Sequence, residues 1–257
     1  MATNQSAERV LDMLEYLAET GRTGLGTMAQ ALGLNKSTAH RFASTLVKAG
    51  YVRQDPVDRT YSLTTRVVEI ASQVIQRLQI HRVVHPVLDD LARAAGETVH
   101  LGILDGFDLV YIDKVEGNGA VQMASRIGSR GTCHSTALGK VLLSGRPEEE
   151  WRAYVDHRGL PRRTARTITT REAFFAELTR VRQSGLSVDD VENEEGIRCV
   201  GAPIRDHHGQ VVAAVSISGW TVSMTEQRVQ QLAPLLIAHA LRASEILGFQ
   251  ESGVHTA

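Results

Sequence analysis

The sequence predicts an α+β fold for this 257-residue chain: a small N-terminal module of helices and a hairpin, a helical linker, and a larger C-terminal antiparallel sheet domain with helices. Three observations predict it. Apolar residues recur at helical spacing up to Ala49 and then alternate at strand spacing; strand-like clusters and helical stretches are interleaved beyond residue 96; and charge is divided unevenly along the chain. The boundaries that follow are 1–66, 67–95 and 96–257, and the length suits two modest domains. With 42% hydrophobic and 22% charged residues, the composition excludes a disordered chain, a collagen and a coiled-coil rod. No run approaches the roughly 18 consecutive apolar residues of a membrane span, and Met1 to Ser6 lacks the basic and apolar regions of a signal peptide, so a cytoplasmic location is expected. Cys133 and Cys199 are too few for a disulfide framework and are expected as free thiols.

The first helix is predicted over Ala7 to Glu19, with Val10, Leu11, Leu14, Leu17 and Ala18 at helical spacing, and Thr20-Gly21 stops it. Leu25 to Ala31 forms a second, short helix interrupted at Gly33. Asn35 is the N-cap of a third, Lys36 to Ala49, which Gly50 closes in the C′ position. On a helical projection Ala39, Phe42, Ala43, Leu46 and Ala49 share one face, and Ser37, Arg41, Ser44 and Lys48 form a stripe opposite. Tyr51-Val52-Arg53 and Thr60-Tyr61-Ser62-Leu63 then alternate around the turn Asp55-Pro56-Val57-Asp58. Two helices joined by a tight glycine-containing turn and followed by a hairpin describe a winged helix-turn-helix.

Beyond it, Val67 to Leu78 carries a linker helix, and Val83, Val84, Val87, Leu88 and Leu91 continue a helical pattern to about Ala95, with Pro86 predicted to interrupt it or open a second helix. Thr98 to Leu104, Leu109 to Val115 and Ala120 to Ala124 read as strands of an antiparallel meander. Helices are predicted at Thr136 to Leu143, Pro147 to His157 and Arg171 to Ser184. A hairpin of Cys199 to Arg205 and Val211 to Ser218 follows, and a helix from Thr225 to Leu247 ends the domain.

The whole-chain charge of −1 speaks against a polyanionic partner. Resolved by region it does not. Arg22, Lys36, Arg41, Lys48, Arg53, Arg59 and Arg66 stand against Asp55 and Asp58, a net of +5 over Arg22 to Arg66, while Ala7 to Gly21 is acidic and Val67 onward sums to −3. No acid occurs from Lys36 to Gln54, whereas a merely solvated helix face mixes both signs. A winged helix-turn-helix sets its third helix into the major groove, where Arg41 can read guanine and hydroxyls can reach bases or phosphates. The candidate DNA-contacting residues are Lys36, Ser37, Thr38, His40, Arg41, Ser44, Thr45 and Lys48, with Arg59 at the wing tip.

Other chemistries are weaker. His81 and His85 have the spacing of two metal ligands on one helix face, but no third ligand follows nearby, and no metal is expected. Gly24-Leu25-Gly26-Thr27-Met28-Ala29 fits G-x-G-x-x-A, yet follows a helix rather than a strand, so no cofactor is expected. The rival function is an enzyme that processes a small molecule with Cys133 and His134. Adjacent residues in a strand-to-helix turn point apart, and no G-x-S-x-G elbow exists in the chain, so no catalytic residue is assigned.

Leu32-Gly33-Leu34-Asn35-Lys36-Ser37-Thr38-Ala39-His40-Arg41, Leu46 and Ala49-Gly50-Tyr51-Val52 resemble the DNA-binding domain of the IclR-type bacterial transcriptional regulators. Gly185, Asp189, Glu192, Cys199, Val200, Gly201, Ile204 and Asp206 match that family's C-terminal signature, with Arg205 departing where Phe, Tyr or His is expected, and His134-Ser135-Thr136-Ala137-Leu138-Gly139-Lys140 resembles its central motif. The resemblance implies a GAF-like effector-binding domain, dimers that pair into tetramers, and an effector pocket of Met123, Ala137, Leu138, Asp189, Cys199, Ser216 and Ser218. The effector class expected by analogy is a small organic acid or an aromatic acid. A regulator, more a repressor than an activator, is the implied function. It would bind a pseudo-palindromic double-stranded operator through two third helices.

Overall fold

The computed structural model describes residues 5–70, 79–117 and 125–250. Of the sequence expectations, Met123, the strand Ala120 to Ala124 and residues 71–78 of the linker helix lie outside the described residues; residues 66–70 are helical. The chain divides into two compact units, residues 1–77 and 78–257.

In the first unit, α1 (Gln5–Thr20), α2 (Leu25–Ala31) and α3 (Lys36–Lys48) precede the hairpin β1 (Val52–Gln54) and β2 (Tyr61–Leu63). The antiparallel pair is in register at Arg53 and Ser62, and Thr23 adds a bridge to Tyr61. Met13, Leu17, Met28, Ala39, Phe42, Ala43, Leu46, Val52 and Tyr61 form its core. Two predicted burial assignments need correcting. The buried line of α1 runs through Met13 and Leu17 rather than Leu11, which is 59% exposed, because residues two apart face opposite sides of a helix. Ala49 is exposed: the helix ends at Lys48 and Ala49 is its C-cap. Asn35 caps the N-terminus, its Oδ1 accepting the Thr38 N–H at 2.8 Å. Gly50 follows at φ +81°, a backbone angle for which a β-carbon is a liability.

The second unit opens with α4 (Gln79–Ala95), continues through β3 (Thr98–Asp105), β4 (Asp108–Val115) and β5 (Arg130–Gly131), then α5 (Ala137–Ser144), α6 (Glu148–Arg158) and α7 (Arg171–Ser184), and closes with β6 (Ser187–Asp190), β7 (Ile197–Arg205), β8 (Val211–Trp220) and α8 (Glu226–Ile246). Pro86 neither breaks α4 nor opens a new helix. It is exposed on the helix surface, where the carbonyl left without a donor costs least because solvent can reach it. The strands form one six-stranded antiparallel sheet in the order β5-β4-β3-β8-β7-β6. This is not a simple meander, since β3 pairs with both its hairpin partner β4 and the distant β8. β5 and β6 were not predicted; at two and four residues they are too short for alternation to be visible in the sequence.

Strand alternation sends two sets of side chains to opposite faces. Val99, Leu101, Val200, Ala202, Ala213, Val215 and Ile217 pack with Val84, Leu88 and Leu91 of α4 and Leu232 and Leu236 of α8. The other face carries His100, Cys199, Gly201, Ser216 and Ser218 toward α5. Gly201 permits this approach, because a β-carbon there would lie 3.1 Å from the Ala137 carbonyl carbon.

Candidate functional site

Two places in the molecule concentrate polar side chains that the core does not need. The first is α3. Its apolar face is fixed by Ala39, Phe42, Ala43 and Leu46, so Lys36, Ser37, His40, Arg41, Ser44, Thr45 and Lys48 are all exposed and Thr38 is half-buried. Two hydroxyl hydrogens on that surface are already committed, Ser37 Oγ to Asn35 Oδ1 at 2.8 Å and Thr45 Oγ1 to the Arg41 carbonyl at 3.0 Å. In the wing, Asp55 Oδ1 accepts the Val57 N–H at 2.8 Å, and Arg59 holds a left-handed φ of +60° with its side chain exposed. Arg22 belongs to the wing rather than to a free basic surface, since its guanidinium lies 2.7 Å from both Asp55 and Asp58. That pairing cancels one of the two negative charges of the turn and leaves the trio at a net −1, so Arg22 adds no free positive charge to the surface of α3. Arg53, which was counted but not assigned, stands exposed on β1 and donates to Ser62 Oγ at 3.1 Å.

The second place is a pair of chambers between the sheet and α5. An inner chamber of about 60 Å³ is walled by His100 of β3, Tyr111 of β4, Ala137 and Leu138 of α5, Asp189 of β6, Cys199 of β7, and Ser216 and Ser218 of β8. An outer chamber of about 590 Å³ shares Tyr111, Ser125, Thr136, Asn193 and Glu194 with it and adds Arg130, His134, Tyr154, Arg158 and Arg163. Six of the seven effector candidates therefore meet in one cavity. His100 and Tyr111 were missed by sequence reasoning; the signal was the register, which sets His100 opposite Ser216 and Gly102 opposite Tyr111.

Burial sets the charge of these walls. The His100 imidazole is pushed down to about 3 by desolvation, with Lys114 adding to the effect, so the ring is neutral at physiological pH. Its nitrogens lie 2.7 Å from Ser125 Oγ and 3.3 Å from Ser218 Oγ. Burial likewise raises the Tyr111 phenol and the Cys199 thiol above their usual values. Asp189 is the exception in kind: desolvation lifts its carboxyl from 3.8 to about 7, although Oδ1 accepts the N–H groups of Glu192 at 2.7 Å and Asn193 at 3.2 Å. The inner chamber thus sets neutral donors and acceptors beside two carboxyl side chains, Asp189, which titrates near neutrality, and Glu194, which it shares with the outer chamber.

Behind that wall, Lys140 is fully buried and reaches Glu192 at 2.5 Å, Glu177 at 3.2 Å and the Val188 carbonyl at 2.6 Å. It ties α5 to α7 and to the segment after β6. Val191 in that segment holds φ +63°, an angle a β-branched residue reaches only under local strain. Arg205 lies away from both chambers, its Nη1 donating to Gly209 O at 2.9 Å across the β7–β8 turn, so its departure from the family pattern leaves the cavity walls untouched.

The pair Cys133 and His134 does not form a nucleophile with its base. Burial raises the Cys133 thiol to about 12. The two His134 ring nitrogens face Tyr154 Oη at 3.2 Å and Pro161 O at 3.0 Å, and Tyr154 Oη also takes the Cys133 and His134 N–H groups. The amides that lead into α5 are thus spent on Tyr154, and Thr136 caps the helix by accepting from Gly139 N–H at 3.1 Å.

A winged helix-turn-helix with a base-and-hydroxyl face, on the same chain as a sheet domain that encloses a polar cavity, defines a DNA-binding transcriptional regulator with a small-molecule sensor domain. Family models agree on both halves: residues 6–56 match the IclR helix-turn-helix domain and residues 72–245 the bacterial transcriptional regulator IclR C-terminal domain. The chain belongs to the IclR family of bacterial transcriptional regulators. It is 36% identical to the HTH-type transcriptional regulator KdgR of Escherichia coli over 96% of this chain and 94% of that protein. To the transcriptional repressor IclR of the same organism it is 33% identical over 92% and 87%. The crystal structure of the Thermotoga maritima IclR superposes with a TM-score of 0.82 at 36% identity, covering 95% of this chain and 99% of that one. These relatives are regulators and not enzymes, which overturns the alternative of a Cys133/His134 catalyst. Among the described residues no helix is long and apolar enough to cross a membrane.

Proposed function

We propose that the chain is an operator-binding repressor whose DNA affinity changes when a small organic or aromatic acid enters the chambers of the larger unit. A homodimer presents two copies of α3 to successive major grooves of a pseudo-palindrome, and two dimers pair as a tetramer. Arg41 reads a base; Ser37, Thr38, His40, Ser44 and Thr45 border it; Lys36, Lys48 and Arg59 take phosphates. The repressor assignment is supported by the relative so named.

The observation that carries the sensor reading is the convergence of Ala137, Leu138, Asp189, Cys199, Ser216 and Ser218, from four separate elements, on one chamber. The outer chamber falls within the size range of small-molecule sites, and the inner one admits only a small polar group. Ionised Asp189 repels a carboxylate, so the acid's hydroxyl or carbonyl end points inward to His100, Ser216 and Ser218. Its carboxylate stays in the outer chamber, beside Thr136 at the N-terminus of α5 and Arg163. An effector shifts operator affinity by its difference in affinity for the two arrangements of the protein and by no more.

A thermal-shift screen over small carboxylates and hydroxy-aromatic acids tests this. A true effector at 100 times its Kd adds about 2.7 kcal/mol to folding stability, and Ser218→Ala weakens that effector while leaving operator affinity in its absence unchanged. Equal effector affinity in wild type and Ser218→Ala removes the inner chamber from the site.

A further inference from the structure

We propose that His81, His85 and Asp113 form a binding site for one divalent transition-metal ion of the zinc class. The site is separate from the sensing chambers, because α4 packs on the sheet face opposite to them. His81 and His85 lie one helical turn apart on α4, the spacing at which two imidazoles share a metal. The third group that the sequence interval did not reveal arrives from β4. Asp113 Oδ2 is 3.4 Å from His81 Nε2 and 2.6 Å from His85 Nδ1, and one ligand atom from each of the three residues lies within 4.8 Å of the others. In a tetrahedral ion with bonds near 2.0–2.1 Å, ligand atoms stand about 3.3 Å apart. Small side-chain rotations close the one gap and open the other, since the two rings are near parallel with centroids 5.7 Å apart.

The surroundings fit a metal centre as well as the ligands do. Asp113 has a side chain only 3% exposed, and its Oδ1 accepts the Lys114 N–H at 2.8 Å, which fixes Oδ2 toward the imidazoles. The second ring nitrogen of His85 has the Asp89 carboxylate 3.7 Å away, the arrangement of an outer carboxylate that orients a ligating histidine. Two nitrogens and one carboxylate oxygen select zinc, cobalt or nickel over magnesium and calcium, which prefer oxygen throughout. Three protein ligands leave one position for water. Bound there, the ion pins the first turns of α4 to β4.

The test is titration of the chelator-treated full chain with Zn²⁺, with Co²⁺ as the spectroscopic probe. Expected are one equivalent per chain, the visible absorption of a four-coordinate cobalt site, and a rise in Tm with Zn²⁺. His81→Ala and His85→Ala replace partly exposed side chains. Each is expected to weaken Zn²⁺ by at least the ~10–100-fold that loss of an outer-shell partner costs. Asp113→Asn is expected to do the same. The double variant His207→Ala/His208→Ala, at an exposed histidine pair in the β7–β8 turn, keeps full binding. Zn²⁺ binding unchanged in His81→Ala and His85→Ala, or lost with His207 and His208, overturns the proposal. So does absence of binding by the wild type, which reduces the trio to a buried carboxylate paired with imidazoles.

Discussion

Replacing Asp189 by Asn should make the larger unit more stable, and increasingly so as pH rises. The carboxyl is 2% exposed and titrates at about 7 in the folded protein against 3.8 when free, chiefly because burial penalises its charge. Between those values the unfolded chain has already released the proton that the folded chain still holds. Stability therefore falls as pH rises from about 4 to 7 and levels off above. Three pH units at 1.36 kcal/mol each put the full loss at roughly 4 kcal/mol, of which roughly 2.5 kcal/mol falls between pH 5 and pH 8. Asn keeps the acceptor that the Glu192 and Asn193 N–H groups use and carries no charge. The assay is urea unfolding of wild type and Asp189→Asn at pH 5 and pH 8, followed by tryptophan fluorescence. Both tryptophans of the chain, Trp151 and Trp220, belong to the larger unit, so the winged module contributes no tryptophan signal. The stability difference, variant minus wild type, should rise by roughly 2.5 kcal/mol between the two pH values, with contributions common to both proteins cancelling. A difference independent of pH, or one that shrinks as pH rises, refutes the reasoning and means that Lys140 keeps Asp189 ionised throughout.

On operator DNA, Arg41→Ala should cost about 1–3 kcal/mol and relax preference at one base position. Lys48→Ala should weaken all sequences alike and lower the salt slope by about one; binding of both to operator and random duplexes measures this, and equal losses on both duplexes for both variants refute the division of labour. Asn35→Ala removes the acceptor shared by Thr38 N–H and Ser37 Oγ, at a cost of about 1 kcal/mol to α3. The Thr38 amide should then exchange about fivefold faster by NMR-detected hydrogen exchange, and an unchanged rate means that the cap contributes nothing.

What could be read from the sequence divides by the range of the interaction that decides it. The third helix was legible because its determinants are local: a capping Asn35, a closing Gly50, and two faces that 3.6 residues per turn keep apart. The stripe of α1 was right at Val10, Leu14 and Leu17, which line the core, and wrong at its edges, where Leu11 and Ala18 are exposed and Met13 is buried, because Val10, Leu11, Met13, Leu14 and Leu17 leave two readings that only packing on α3 and the hairpin decides. His100, Tyr111 and Asp113 were silent for a different reason. His100 is an ordinary strand residue until β3 pairs with the distant β8, a separation that no local pattern encodes, while Tyr111 and Asp113 lie on the expected β3–β4 hairpin and their partners depend on its register, which shifts between Leu101 and Gly102. Ala137, Leu138, Asp189, Cys199, Ser216 and Ser218 came through family resemblance rather than through residue chemistry, and their meeting in one chamber is a property of the sheet order.

Among the described residues, the apolar cores share no residue across the two units: one lies wholly between Met13 and Tyr61, the others between Val84 and Ala243. Each half therefore carries its own means of burying apolar surface and need not borrow it from the other. For descent, this makes the reader and the sensor separable units of inheritance. Exchange of the winged module, or drift in the residues that line the chambers of the larger unit, leaves the apolar core of the other unit as it was.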